Sequence, residues 1–230
     1  YSNRVLTTRD ALAVFLSQAF DQARTWEKLS QDALQDDARS SKNPVALDFE
    51  KAGTPREITF PGYAYEKRMS AISGKQRITY DPSKPQDWKM PLYEDSKATI
   101  QVNAPKKGYL IPPSHADWAG PRLRLHGVQF EVFKTAENQV YVETFRAKKM
   151  EFAPMPFEGR TRISKLEGGW ETEVRTVPAG SLWVPIHQPL ARLVMHLLEP
   201  KGPDSWLSWG FFNSAYERKE YMEDYITEAV

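Results

Sequence analysis

Cysteine is absent from the 230 residues, so disulfide frameworks, thiol nucleophiles and cysteine-ligated metals are excluded at the outset. An excess of charge is lacking too: 31 basic against 30 acidic residues leave a net charge of +1. That gives no electrostatic footprint for nucleic acid or for an anionic membrane surface. No apolar run approaches the roughly 20 residues needed to span a bilayer. The longest, around Leu12–Leu16 and Leu193–Leu198, are interrupted within one or two helical turns. There is no repeat at a fixed period and no low-complexity tract. The chain begins Tyr1-Ser2-Asn3-Arg4, without an initiator Met or a basic-then-apolar leader, as expected of a processed or truncated chain.

What is present reads as α+β. From Asn3 to about Asp37 the residues Leu12, Leu16, Ala19, Ala23 and Trp26 recur at three- and four-residue steps, with Asp21, Gln22 and Lys28 between them. This pattern predicts a long amphipathic helix, capped by Thr7 and Asp10 and broken near Ser30, whose apolar stripe needs another element to cover it. Ser40 to Pro44 reads as a linker, dividing a helical lead-in over 1–43 from an α+β accessory domain over 44–230. Beyond Pro44 come short aromatic or β-branched runs: Ile58–Phe60, Tyr63–Tyr65, Gln76–Tyr80, Trp88–Tyr93, Ala98–Val102 and Tyr109–Ile111. Ser114 and Asp117 predict the start of a short helix that Gly127 stops, followed by a strand over Val128–Phe133. This strand–helix–strand order suits a crossover that brings parallel pairing into a mixed sheet. Gln139–Lys148 continues the strands, and Gly168-Gly169 reads as a hairpin turn between Arg160–Ser164 and Trp170–Val177. Leu182–Ile186 predicts a further strand. A helix then starts at Gln188-Pro189, with Leu190, Leu193, Val194, Leu197 and Leu198 as its apolar face. The tail is charged and helical in pattern from Tyr216 to Val230. The expected fold is therefore an N-terminal amphipathic helix and a β-rich mixed-sheet domain with two or three short helices.

Chemistry is harder to find. His196-Leu197-Leu198-Glu199 has the spacing of a zinc-ligand pair, but hydrolytic zinc needs three protein ligands and an open water position. No histidine follows His196, and His187, nine residues earlier, would face the other side of a helix. The Leu-rich amphipathic helix is sufficient reason for His196. His115 and His126 share a helical face but would stand roughly 16 Å apart, too far to hold one ion. A Gly-x-Ser-x-Gly elbow is missing, and Gly180-Ser181 precedes a strand rather than a helix. Gly168-Gly169 has no Lys-Ser/Thr partner for a phosphate loop. Asp36-Asp37 and Glu223-Asp224 are neighbours in sequence and suit a solvated surface. No catalytic, cofactor-binding or metal residue is assigned. The densest aromatic cluster, Trp206, Trp209, Phe211 and Phe212, is the candidate ligand or domain contact, because exposed aromatics serve as stacking platforms or docking patches.

Several segments are similar to one family over nearly the whole chain. Val177-Pro178-Ala179-Gly180-Ser181-Leu182-Trp183-Val184-Pro185, Gln188-Pro189-Leu190-Ala191-Arg192-Leu193, Leu197-Leu198-Glu199-Pro200 and Trp209-Gly210-Phe211-Phe212-Asn213 resemble the C-terminal region of bacterial zinc carboxypeptidase-like proteins of the carboxypeptidase A type. Gly62-Tyr63-Ala64-Tyr65-Glu66, Tyr80-Asp81-Pro82 and Gly108-Tyr109-Leu110-Ile111-Pro112 agree with it. The lead-in, Arg4-Val5-Leu6-Thr7-Thr8-Arg9, resembles the end of the peptidase domain itself. The resemblance implies a parent metallopeptidase whose zinc ligands, substrate-binding arginine and catalytic glutamate all precede Tyr1, so zinc belongs to the upstream domain and no cofactor to this chain. It implies proteolysis by removal of C-terminal residues, a periplasmic or secreted location, and the upstream peptidase domain as partner, with peptide as substrate. This chain would then be a non-catalytic accessory domain. The alternatives are a peptide- or cell-wall-glycan-binding module acting through exposed aromatics, and an enzyme with metal at His196 and Glu199.

Overall fold

The computed structural model describes residues 2–39 and 44–216. The first element, α1 (Ser2–Arg39), runs unbroken for 38 residues. No Pro or Gly falls within it, and Ser30 alone does not interrupt the hydrogen-bond ladder. The helix starts before the expected cap at Thr7, and the Thr8 hydroxyl instead donates back to the Arg4 carbonyl at 2.9 Å. Ser40–Asn43 of the expected linker and 217–230 of the expected tail helix lie outside the described residues.

The chain divides into two compact units, 48–99 and the remainder. The dividing points fall within β1 (Val45–Ala52) and β4 (Asp95–Val102), which pair with each other. The smaller unit is mainly a hairpin of β2 (Arg56–Met69) and β3 (Gln76–Leu92). Here the short strands expected from the sequence merge into two long ones that take in Pro61, Pro82, Pro85 and Pro91, with a register shift between Tyr63 and Ala64 that leaves 82–84 out of the ladder. Proline lacks a ladder N–H, but each strand of a two-stranded ribbon is an edge and has a side on which no donor is needed.

The larger unit is built on a three-stranded sheet ordered β5 (Gly108–Ile111), β9 (Leu182–Pro185), β6 (Glu131–Val132). The strand–helix–strand crossover is present as β5, α2 (Pro113–Leu125) and β6, yet no parallel pair results. Strand β9 slots between the other two and pairs antiparallel with each. α2 opens on Pro112 and Pro113 without a side-chain cap, so Ser114 and Asp117 do not serve as the expected box; the missing proline N–H removes one donor needing a partner. It ends as expected at Gly127, whose φ of 73° is the left-handed turn that favours glycine. α3 (Ala191–Leu198) follows β9, and a short 3-10 turn spans Asn213–Ala215.

The core gathers around β9: Ile111, Leu123, Leu182, Val184, Val194, Met195 and Trp206 are all buried. Buried Gln188 pins the sheet's end, accepting from the Gln129 N–H at 2.8 Å and donating to the carbonyls of Gln129 and Pro185. A second hairpin, β7 (Glu137–Phe152) with β8 (Ile163–Val177), projects from this unit. Its turn is not at Gly168-Gly169. Those glycines lie inside β8, opposite Ala147 and Arg146, beside a register shift between Ala147 and Lys149. The reversal comes earlier, where Phe157 and Arg160 bridge across Glu158 and Gly159, both at positive φ.

Candidate functional site

The C-terminal tail folds back on α2. The Trp206 N–H donates to the Leu197 carbonyl at 2.9 Å, the Phe211 N–H to the Trp206 carbonyl at 2.9 Å, and Gly210 takes φ 76° to turn the chain between them. A third tie joins the tail to β8, from the Ile163 N–H to the Ser208 carbonyl at 3.0 Å. These turns distribute the four aromatics singled out from the sequence. Trp206, only 5% exposed, is core and meets Trp118 of α2 edge-on at 5.1 Å. Phe211 stacks on Trp118 with ring centroids 5.0 Å apart, and Phe212 contacts both Trp118 at 5.3 Å and His115 at 4.8 Å. Trp209 stands apart: its indole N–H donates to Asp204 Oδ1 at 3.1 Å.

Arginines cover the outer side of this stack. The Arg160 guanidinium lies 3.6 Å from the Phe211 ring centroid, and that of Arg122 lies 4.8 Å from the same ring and 5.8 Å from Trp118. Arg122 is anchored by one N–H to the Trp118 carbonyl at 2.8 Å. Arg162 lies 4.4 Å over Trp209 and donates to the Pro203 carbonyl at 2.5 Å. Guanidinium planes on aromatic faces gain cation–π attraction and leave their N–H edges free to bond elsewhere. The sequence marked the tail aromatics and missed Trp118, Arg122 and Arg160. Trp118 and Arg122 stand four apart on one helix face, which is a readable signal. Arg160 arrives through a tight turn that no sequence pattern had located.

Among the described residues no third ligand joins His196 and Glu199. Glu199 follows the last residue of α3 with an extended backbone, so helical spacing does not apply to it. Glu199 is 5% exposed, and its carboxyl group accepts from the Tyr109 hydroxyl at 2.5 Å. Burial raises this carboxyl's pKa above its ordinary value, although Tyr109, Trp170 and Lys201 pull the other way. The same burial, with the Glu199 charge beside it, lifts the Tyr109 phenol well above its usual range. His115 is lowered by burial; its Nδ1 accepts from the Trp118 indole at 3.3 Å. Among the described residues no group of three His, Asp or Glu could hold a metal ion. A cleft of about 180 Å³ is walled by Tyr109, His115, Phe145, Trp170, Leu197 and Phe212.

Two surfaces stay uncovered. On α1, Leu12, Phe15, Leu16 and Phe20 are each more than half exposed, Leu16 at 64% and Phe20 at 85%. On the β2–β3 hairpin, Phe60, Tyr65, Tyr80 and Trp88 form a contiguous cluster with centroids 5.9–6.2 Å apart. Trp88 lies against Gly62, where an added Cβ would meet the indole at 2.5 Å, so only glycine admits the ring there. No helix among the described residues is long and apolar enough to cross a membrane. Comparison with protein-family models, with curated proteins and with solved structures gives no match.

Proposed function

We propose that the chain is a non-catalytic C-terminal domain of a bacterial zinc metallocarboxypeptidase-like hydrolase, which supports the peptidase domain or restricts access to its active site. The observation that carries this reading is the open apolar stripe of α1. Leu12, Phe15, Leu16 and Phe20 face solvent on a 38-residue helix, and burying side chains of this size is worth roughly 1.5–3 kcal/mol each. Such a row is a surface for another protein body. The segments quoted above, similar to the C-terminal regions of carboxypeptidase A-type proteins, indicate which body: the peptidase domain of the same polypeptide. Zinc and the hydrolytic glutamate belong to that domain, which releases C-terminal residues from peptides in the periplasm or outside the cell.

The test is zinc analysis and a C-terminal peptidase assay on this 230-residue chain. After zinc loading and dialysis the chain should retain no stoichiometric metal and release no amino acid. One zinc per chain together with turnover refutes the accessory role.

A second reading, a peptide- or cell-wall-glycan-binding module, is favoured by the aromatic cluster on the hairpin. Clustered rings on an open ribbon are platforms on which sugars or peptide side chains stack. If this reading holds, peptidoglycan fragments or peptides bind saturably and Trp88→Ala removes the binding. Absence of binding to either probe refutes it.

A further inference from the structure

We infer that the closed end of the β2–β3 hairpin docks on an anionic lipid surface, with Met69 and Ile72 entering the lipid and Lys67, Arg68, Lys75 and Arg77 meeting the headgroups. Ile72, in the turn between the strands, is fully exposed, and Met69 at the end of β2 is 69% exposed. Single apolar residues on a surface are ordinary, but these two share one turn that cations flank on both sides in sequence. From Tyr65 to Tyr80 the chain carries those four cations and one acid, Glu66, which pairs with Arg68 at 2.7 Å. All four cations are exposed. The balanced charge of the whole chain conceals this local excess, and a basic cluster beside an apolar tip is what an anionic leaflet attracts.

Strand alternation sets Lys67 on the same face of the ribbon as Tyr65, and its ammonium lies 5.6 Å from that ring centroid. Arg68 stands on the other face, where its cross-strand neighbour is Arg77. Cations therefore flank the ribbon on both faces, which suits an end-on approach better than lying flat. Tyr65 and Tyr80 pair across the strands with centroids 5.9 Å apart. They follow at roughly 13 Å from the end of β2, where amphipathic rings would sit at the headgroup level. The turn is also prepared to leave water. The Ser70 N–H donates to the Lys75 carbonyl and the Gly74 N–H to the Ser70 carbonyl, both at 2.9 Å. The Ser70 hydroxyl oxygen accepts from the N–H groups of Ile72 at 3.3 Å and Ser73 at 3.2 Å, and the Ser73 hydroxyl oxygen from the Lys75 N–H at 3.3 Å. Backbone groups in lipid need internal partners, so these bonds lower the cost of burying the turn. This inference depends neither on the docking role of α1 nor on the glycan reading.

The experiment is flotation of the full chain with vesicles of phosphatidylcholine alone, and of phosphatidylcholine with an equal part of phosphatidylglycerol. The chain should bind the phosphatidylglycerol vesicles at least about tenfold better at low salt, and lose most of that preference near ~1 M salt, where surface charges are screened. Lys75→Gln and Arg77→Gln should each weaken binding roughly fivefold, the usual contribution of one basic residue at such a surface. Ile72→Ser should weaken it by about tenfold. Lys106→Gln/Lys107→Gln, equally exposed but outside the hairpin, should leave it unchanged. Because the chain has no cysteine, Ile72→Cys and Lys106→Cys each accept a single environment-sensitive fluorophore. On vesicles its emission should shift to the blue at position 72 and stay constant at position 106. Circular dichroism identifies any variant that has not folded, and the fluorophore readings then decide. No flotation with either vesicle, equal flotation with both, or undiminished flotation of folded Ile72→Ser and Lys75→Gln chains overturns the site. Heparin binding that needs Lys75 and Arg77, without flotation, assigns a soluble polyanion and likewise overturns the lipid reading.

Discussion

Glu199 is engaged inside the fold rather than on a helix face. The His-x-x-Glu spacing lacked a third ligand already in the sequence, and in the structure the helix stops at Leu198 and the carboxyl group turns inward to Tyr109. What remains is a buried acid held by a phenol. Burial raises its pKa above the ordinary 4.5, so at a pH between the two values the folded chain keeps a proton that the unfolded chain has released. The stability due to this group is therefore complete below about pH 4.5 and is lost as pH rises through the folded value. Glu199→Gln keeps an acceptor for Tyr109 and does not titrate. Thermal melts from pH 4.5 to 8 should show its Tm rising relative to the wild type as pH increases. A constant difference would mean that the carboxyl is not perturbed. Glu199→Leu should cost about 1–3 kcal/mol, because it leaves the Tyr109 hydroxyl buried and unpaired.

Among the elements, the positions of the helices were legible, whereas their starts (α3 begins at Ala191, past the expected Pro189) and the hairpins were not. The apolar periodicity of Leu12, Leu16, Ala19 and Ala23 located α1, and Gly127 located the end of α2, since both signals are local. The prolines at 61, 82, 85 and 91 looked like strand breaks because sequence does not reveal that β2 and β3 form a two-stranded ribbon. Gly168-Gly169 looked like a turn for a similar reason. Its role depends on the partner strand, where a Cβ on Gly168 would press into the Arg146 carbonyl oxygen beside the bulge. Gly168→Ala should therefore destabilise the chain by about 1–3 kcal/mol, the usual cost of forcing atoms into filled space. Gly169 has open space at the same position, so Gly169→Ala should cost less. Chemical denaturation of the two variants makes the comparison; equal stabilities would rule out close approach as the reason for the first glycine. The candidate site divides along the same line. Trp206, Phe211 and Phe212 stood out by density, whereas Arg160 joins them only through the Phe157–Arg160 turn.

For the molecule as a whole, the uncovered α1 stripe marks the element with most left to bury. Its period is plain in the sequence, and the structure leaves Leu16 and Phe20 open rather than supplying the cover that the period calls for. Under the accessory-domain reading the cover is the peptidase domain. Sedimentation velocity on the chain mixed with that domain, produced separately, tests this most directly. A complex should form with the wild-type chain and none with Leu16→Asp/Phe20→Asp, a variant that should still fold because both side chains are exposed. Free sedimentation of the wild-type chain, or an undiminished complex with the folded variant, would contradict it.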